Sequence, residues 1–97
     1  MTILLVCADE RRLEERKEAL QRAGFRSISA HSIEQGWTKT DFFDISAVVI
    51  DHELGNDIAA SALRQRFIVW TLEADATPEA MVADLAQVLR RGSQLVQ

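Results

Sequence analysis

Ser46-Ala47-Val48-Val49-Ile50-Asp51 is an apolar run that ends abruptly on a carboxylate. Its β-branched residues and lack of alternation predict a strand buried on both faces, as a parallel sheet requires. A carboxylate inside such a strand would carry a heavy desolvation cost. Asp51 therefore belongs at the strand's carboxyl end, where open α/β sheets place their ligands and chemistry.

Outward from that strand, strand and helix signals alternate along the chain. Thr2 to Cys7 is a second continuous apolar run, followed by a helix that opens at Ala8 or Asp9 and lasts to about Ala23. Leu13, Leu20 and Ala23 form its inward stripe, and Gly24 is placed for a left-handed cap. Arg11, Arg12 and Arg16 alternate with Glu10, Glu14, Glu15 and Glu18, which reads as a solvated face laced with ion pairs. Phe25 to Ala30 is the next strand, and Ser32 with Gln35 resembles a capping box for a short helix carrying Ile33 and Trp37.

After Asp51, Gly55-Asn56-Asp57 suggests a turn and helix cap. A helix from Ile58 to Gln65 follows, with Ile58, Ala62 and Leu63 expected inward. Phe67 to Leu72 is the fourth strand. Thr77-Pro78-Glu79 starts the last helix with a capping hydroxyl, a proline at the first helical position and an acid suited to the dipole. Met81, Val82, Leu85, Val88 and Leu89 form its buried face, and Arg90, Arg91 and Gly92 suit its end.

The 97 residues, 47% apolar, make one small domain spanning 1–97. Alternating strands and helices with short connections imply a parallel sheet covered on both faces, in the strand order 2-1-3-4. The loops after Cys7 and after Asp51 then meet at one crevice. A net charge of −4 and no basic stripe argue against nucleic acid as a partner. Cys7 is the lone cysteine, so a reducing compartment and a cytoplasmic location are expected. No apolar stretch approaches the length of a membrane span.

Ile3-Leu4-Leu5-Val6 followed by acids, Gly24-Phe25 leading to Ser29-Ala30, Val48-Val49-Ile50-Asp51 with a later Gly55, and Ile68-Val69-Trp70-Thr71 together resemble a response-regulator receiver domain. The resemblance implies a flavodoxin-like three-layer sandwich and a role in two-component signal transduction. It implies Asp51 as acceptor of a phosphoryl group from a sensor histidine kinase and Thr71 as the switch hydroxyl. Mg²⁺ would be held by Asp9, Asp51 and the backbone carbonyl of Glu53. A carboxylate serves as phosphoryl acceptor only when cations balance the growing charge, which is why that chemistry uses metal and lysine.

Three features depart from the family's pattern. The positions directly after the first strand, acidic in the family, are Cys7 and Ala8. The only lysines, Lys17 and Lys39, do not end a strand. The final helix follows the fourth strand, so a fifth strand and one helix are missing. A phosphorylation-independent pseudo-receiver that binds a downstream signalling protein is the alternative.

Cys7 raises a second resemblance, to the IIB component of sugar phosphotransferase systems, in which a thiolate carries the phosphoryl group. The segment Ala8-Asp9-Glu10-Arg11-Arg12-Leu13 lacks the glycines such a loop uses and carries two acids that disfavour a thiolate. His31 and His52 read as rim or surface residues, and Trp37 and Trp70 as packing residues. With no fifth strand, Phe67 to Leu72 forms an apolar sheet edge, and a symmetric homodimer through it is expected.

Overall fold

The structure is a computed structural model describing residues 1–55 and 58–96, the last six of these by their backbone alone. Four strands, β1 (Thr2–Val6), β2 (Arg26–Ala30), β3 (Ala47–Ile50) and β4 (Val69–Thr71), form one parallel sheet in the order β2-β1-β3-β4. Between them run α1 (Glu10–Arg22), α2 (Ile33–Phe42) and α3 (Ile58–Arg66), and α4 (Pro78–Val96) follows β4. This is the flavodoxin-like α/β architecture expected from the alternating pattern. No strand lies beyond β4 among the described residues.

Alternation along the central strands divides the core into two layers. Ile3 and Leu5 of β1 with Ala47 and Val49 of β3 pack under Leu13 and Leu20 of α1 and Met81, Leu85 and Leu89 of α4. Leu4, Val6, Val48 and Ile50 face the other way, onto Ile33 of α2 and Ala60 and Leu63 of α3. Both central strands are buried on both faces, which explains their unbroken apolar runs.

Local signals set most of the boundaries. Asp9 is the N-cap of α1, and its side chain accepts from the Arg12 amide. At the other end Gly24 has φ +90°. The Phe25 amide donates to Leu20 O and the Gly24 amide to Gln21 O, the paired bonds of a Schellman cap. Ser32 caps α2 through the Gln35 amide, while the Gln35 side chain accepts from the backbone of His31 rather than Ser32. Gly36 lets α2 lie close on β1, since a Cβ there would meet Val6 Cγ2 at 3.3 Å.

Several expectations are corrected. Ile58 is 89% exposed and Ala62 is exposed, and Ala60 is buried in their place, while Leu63 is buried as expected. In an alanine-rich helix this short, hydrophobicity barely distinguishes one face from another, and Ala60 lies with Leu63 in the layer against the sheet. β4 is shorter than Phe67 to Leu72, though Ile68 O and the Leu72 amide still bond to β3. Helix α4 runs past Gly92 to Val96, since one internal glycine costs a helix only about 1 kcal/mol. The expected cap at Asn56-Asp57 lies outside the described residues.

Candidate functional site

Asp51 follows β3, and its amide donates to Val6 O at 2.9 Å, holding the residue at the carboxyl end of the sheet. It is only 2% exposed. A carboxylate so buried needs compensating charge, and α1 supplies it. Arg16 Nη2 lies 3.1 Å from Asp51 Oδ1, and Arg12 Nη1 lies 3.4 Å from Oδ2. Arg12 also reaches Glu53, at 3.8 Å. The contact at Oδ1 is an ion pair without hydrogen-bond alignment, so that oxygen has no aligned donor.

Arg16 is itself buried, at 6% exposure, which corrects the expectation of a uniformly solvated arginine face. Arg11 does follow it, exposed and 3.6 Å from Glu15. Arg16 differs because it shares the buried stripe of α1 with Leu13 and Leu20. Its position three residues after one and four before the other was the available signal. Its second nitrogen, Nη1, donates to Cys7 Sγ at 3.5 Å.

Cys7 is buried beside this pair, and its thiol also approaches Asp9 O at 3.4 Å. Burial above all pushes the thiol up from its ordinary value. A carrier of phosphoryl groups needs an accessible thiolate, so this environment does not support the carrier reading. Asp9 is exposed, and its carboxylate is engaged at the start of α1, where the amide of Arg12 above all holds its pKa down. His31 Nε2 lies 2.7 Å from Glu10 Oε2 at the exposed rim. His52 follows Asp51 and keeps a buried Nδ1 without a hydrogen-bond partner.

Thr71, at the end of β4, is joined to the crevice through a residue sequence reasoning passed over. Arg64 of α3 donates from Nη2 to Thr71 Oγ1 at 2.8 Å and to Gly55 O at 3.2 Å. Gly55 packs directly on Thr71: a Cβ at that position would lie 2.5 Å from Thr71 Cγ2. Trp37 and Trp70 are both partly buried packing residues, as expected.

The structure thus brings Asp51, Glu53, Arg12, Arg16 and Cys7 together. It leaves the Asp9 side chain occupied as a helix cap. Among the described residues, no group of three or more His, Cys, Asp or Glu side chains could hold a metal ion. The residues at Asp51 do not fit Mg²⁺, since the one buried carboxylate faces two guanidinium groups that would repel a dication.

No protein-family model matches the chain, and no curated protein matches its sequence. Solved structures match its fold. The N-terminal domain of a response regulator/sensory box/GGDEF three-domain protein from Carboxydothermus hydrogenoformans superposes with a TM-score of 0.83 at 17% identity, over the full length of both chains. The chemotaxis response regulator CheY4 of Vibrio cholerae gives 0.75 at 14% identity, over 90% of this chain and 97% of the other. A response regulator from Thermotoga maritima gives 0.67 at 21% identity, covering 93% and 76%. The chain therefore has the fold of CheY-like receiver domains. No helix among the described residues is long and apolar enough to cross a membrane.

Proposed function

We propose that this protein is a receiver-like signalling module that works through protein contacts without phosphorylation of Asp51. The observation that carries this reading is the placement of Arg12 and Arg16 of α1 against the two oxygens of Asp51. A receiver carboxylate accepts a phosphoryl group when its oxygens are open to a metal and to the incoming phosphorus. Here a guanidinium lies beside each oxygen, that of Arg16 buried and that of Arg12 half-exposed. Phosphorylation would add negative charge at this carboxylate, whereas here the carboxylate is already paired with two guanidinium groups that hold the crevice in one arrangement. The partner on this reading is a sensor kinase or a downstream signalling protein that recognises this one conformation.

The unaligned Oδ1 favours a second reading, in which Asp51 accepts a phosphoryl group, the guanidinium groups replace the lysine and Thr71 reports the change. Intact mass after incubation with acetyl phosphate and Mg²⁺ decides between them. The expected result is no adduct on the wild type or on Asp51→Asn, with no saturable Mg²⁺ binding by calorimetry. A gain of about 80 Da, one phosphoryl group, that disappears in Asp51→Asn would overturn the first reading.

A further inference from the structure

The sheet has two edges of opposite character. β2 carries the exposed Arg26 and the hydroxyls of Ser27 and Ser29, features that discourage strand addition. The other edge reads Ile68-Val69-Trp70-Thr71-Leu72, wholly of residues that favour strands apart from the leucine, with Ile68 38% exposed. Among the described residues β4 pairs only with β3.

The ladder shows which groups remain unpaired. Ile68 O accepts from the Val48 amide, and the Leu72 amide donates to Ile50 O. In a parallel ladder the even residues 68, 70 and 72 therefore bond inward to β3. The amides and carbonyls of Val69 and Thr71 point outward. We propose that a second copy of this chain occupies this edge, its β4 antiparallel to the first and related to it by a two-fold axis at Trp70.

That register uses every outward group. Val69 faces Thr71 of the partner and exchanges both backbone hydrogen bonds with it, and Thr71 does the same with the partner's Val69. Trp70 meets its own symmetry mate as the closely spaced pair on the axis, a favourable aromatic contact. Charge selects the same direction. Arg66 precedes β4, and Glu73 and Asp75 follow it. An antiparallel copy sets Glu73 opposite the partner's Phe67, and in each copy the Arg66 guanidinium lies between the Trp37 and Phe67 rings, 5.6 and 5.8 Å from their centroids. The two-fold axis brings Glu73 and the partner's Arg66 within reach of each other twice. The two sheets join into one, which removes the exposed edge. This surface does not depend on the phosphorylation state of Asp51.

Sedimentation analysis from micromolar to millimolar concentration tests the proposal. The expected result is a reversible dimer that Val69→Pro abolishes, because proline removes an outward donor while every bond to β3 is retained. Glu73→Arg is expected to weaken the dimer about tenfold, and Arg66→Glu/Glu73→Arg to restore it, since each pair is present twice. Should Val69→Pro fail to fold, the charge-reversal pair alone decides. A monomer throughout the range overturns the proposal, and so does a dimer indifferent to both the proline and the charge reversal. A monomer whose Val69 and Thr71 amides resist hydrogen exchange also overturns it, placing another chain segment on the edge.

Discussion

At the scale of single residues, Arg16 and Asp51 depend on each other. Asp51 and Arg16 are both buried, and each removes a desolvation penalty that the other would suffer alone. Arg16→Met is expected to lower stability by about 3–5 kcal/mol, because it leaves the buried Asp51 with only the half-exposed Arg12 as a partner. Arg16→Met with Asp51→Leu is expected to recover most of that loss, as measured by urea unfolding of the single and double variants. Recovery would show that the buried pair adds little net stability over an apolar pair. Cys7 adds a pH dependence. Burial raises its thiol in the folded protein, so the unfolded chain releases that proton first, near pH ~8.5. The unfolded state then binds fewer protons, and stability falls as pH rises from there through the folded value. Melting temperatures of the wild type are expected to fall more steeply above about pH 8.5 than those of Cys7→Ala.

At the scale of elements, the crevice is built where three connections meet. Helix α1 delivers Arg12 and Arg16, the turn after β3 delivers Glu53 and Gly55, and β4 delivers Thr71. Gly55 is required by the close approach of Thr71, not by its own backbone angles. Gly55→Ala is expected to cost about 1–3 kcal/mol through overpacking, measured by thermal or urea denaturation. Thr71→Ser removes the Cγ2 that the new methyl group would strike, so the double variant is expected to regain most of that stability. It also keeps the hydroxyl that Arg64 holds. The face of α3 was not legible from its sequence for a related reason. Leu63 was legible, but its alanines fit either side, and the choice of Ala60 over Ile58 and Ala62 was made by the sheet beneath.

At the scale of the whole molecule, apolar periodicity and turn chemistry in the sequence determined the fold. Unbroken runs at β1 and β3 meant burial on both faces, and alternation of strands with capped helices meant a parallel sheet in the order observed. The sequence also placed Asp51 at the end of its strand, because a carboxylate is excluded from the middle of a buried one. Tertiary structure alone decided what surrounds it. Asp51 and Arg16 are far apart in the chain, and although the spacing from Leu13 and Leu20 marks the inward face of Arg16, nothing in α1 says which carboxylate it meets. Docking of α1 on the sheet turned Arg16 inward and left Arg11 in solvent. The fold follows from local periodicity, whereas the charge balance at the site follows from which distant surfaces pack together.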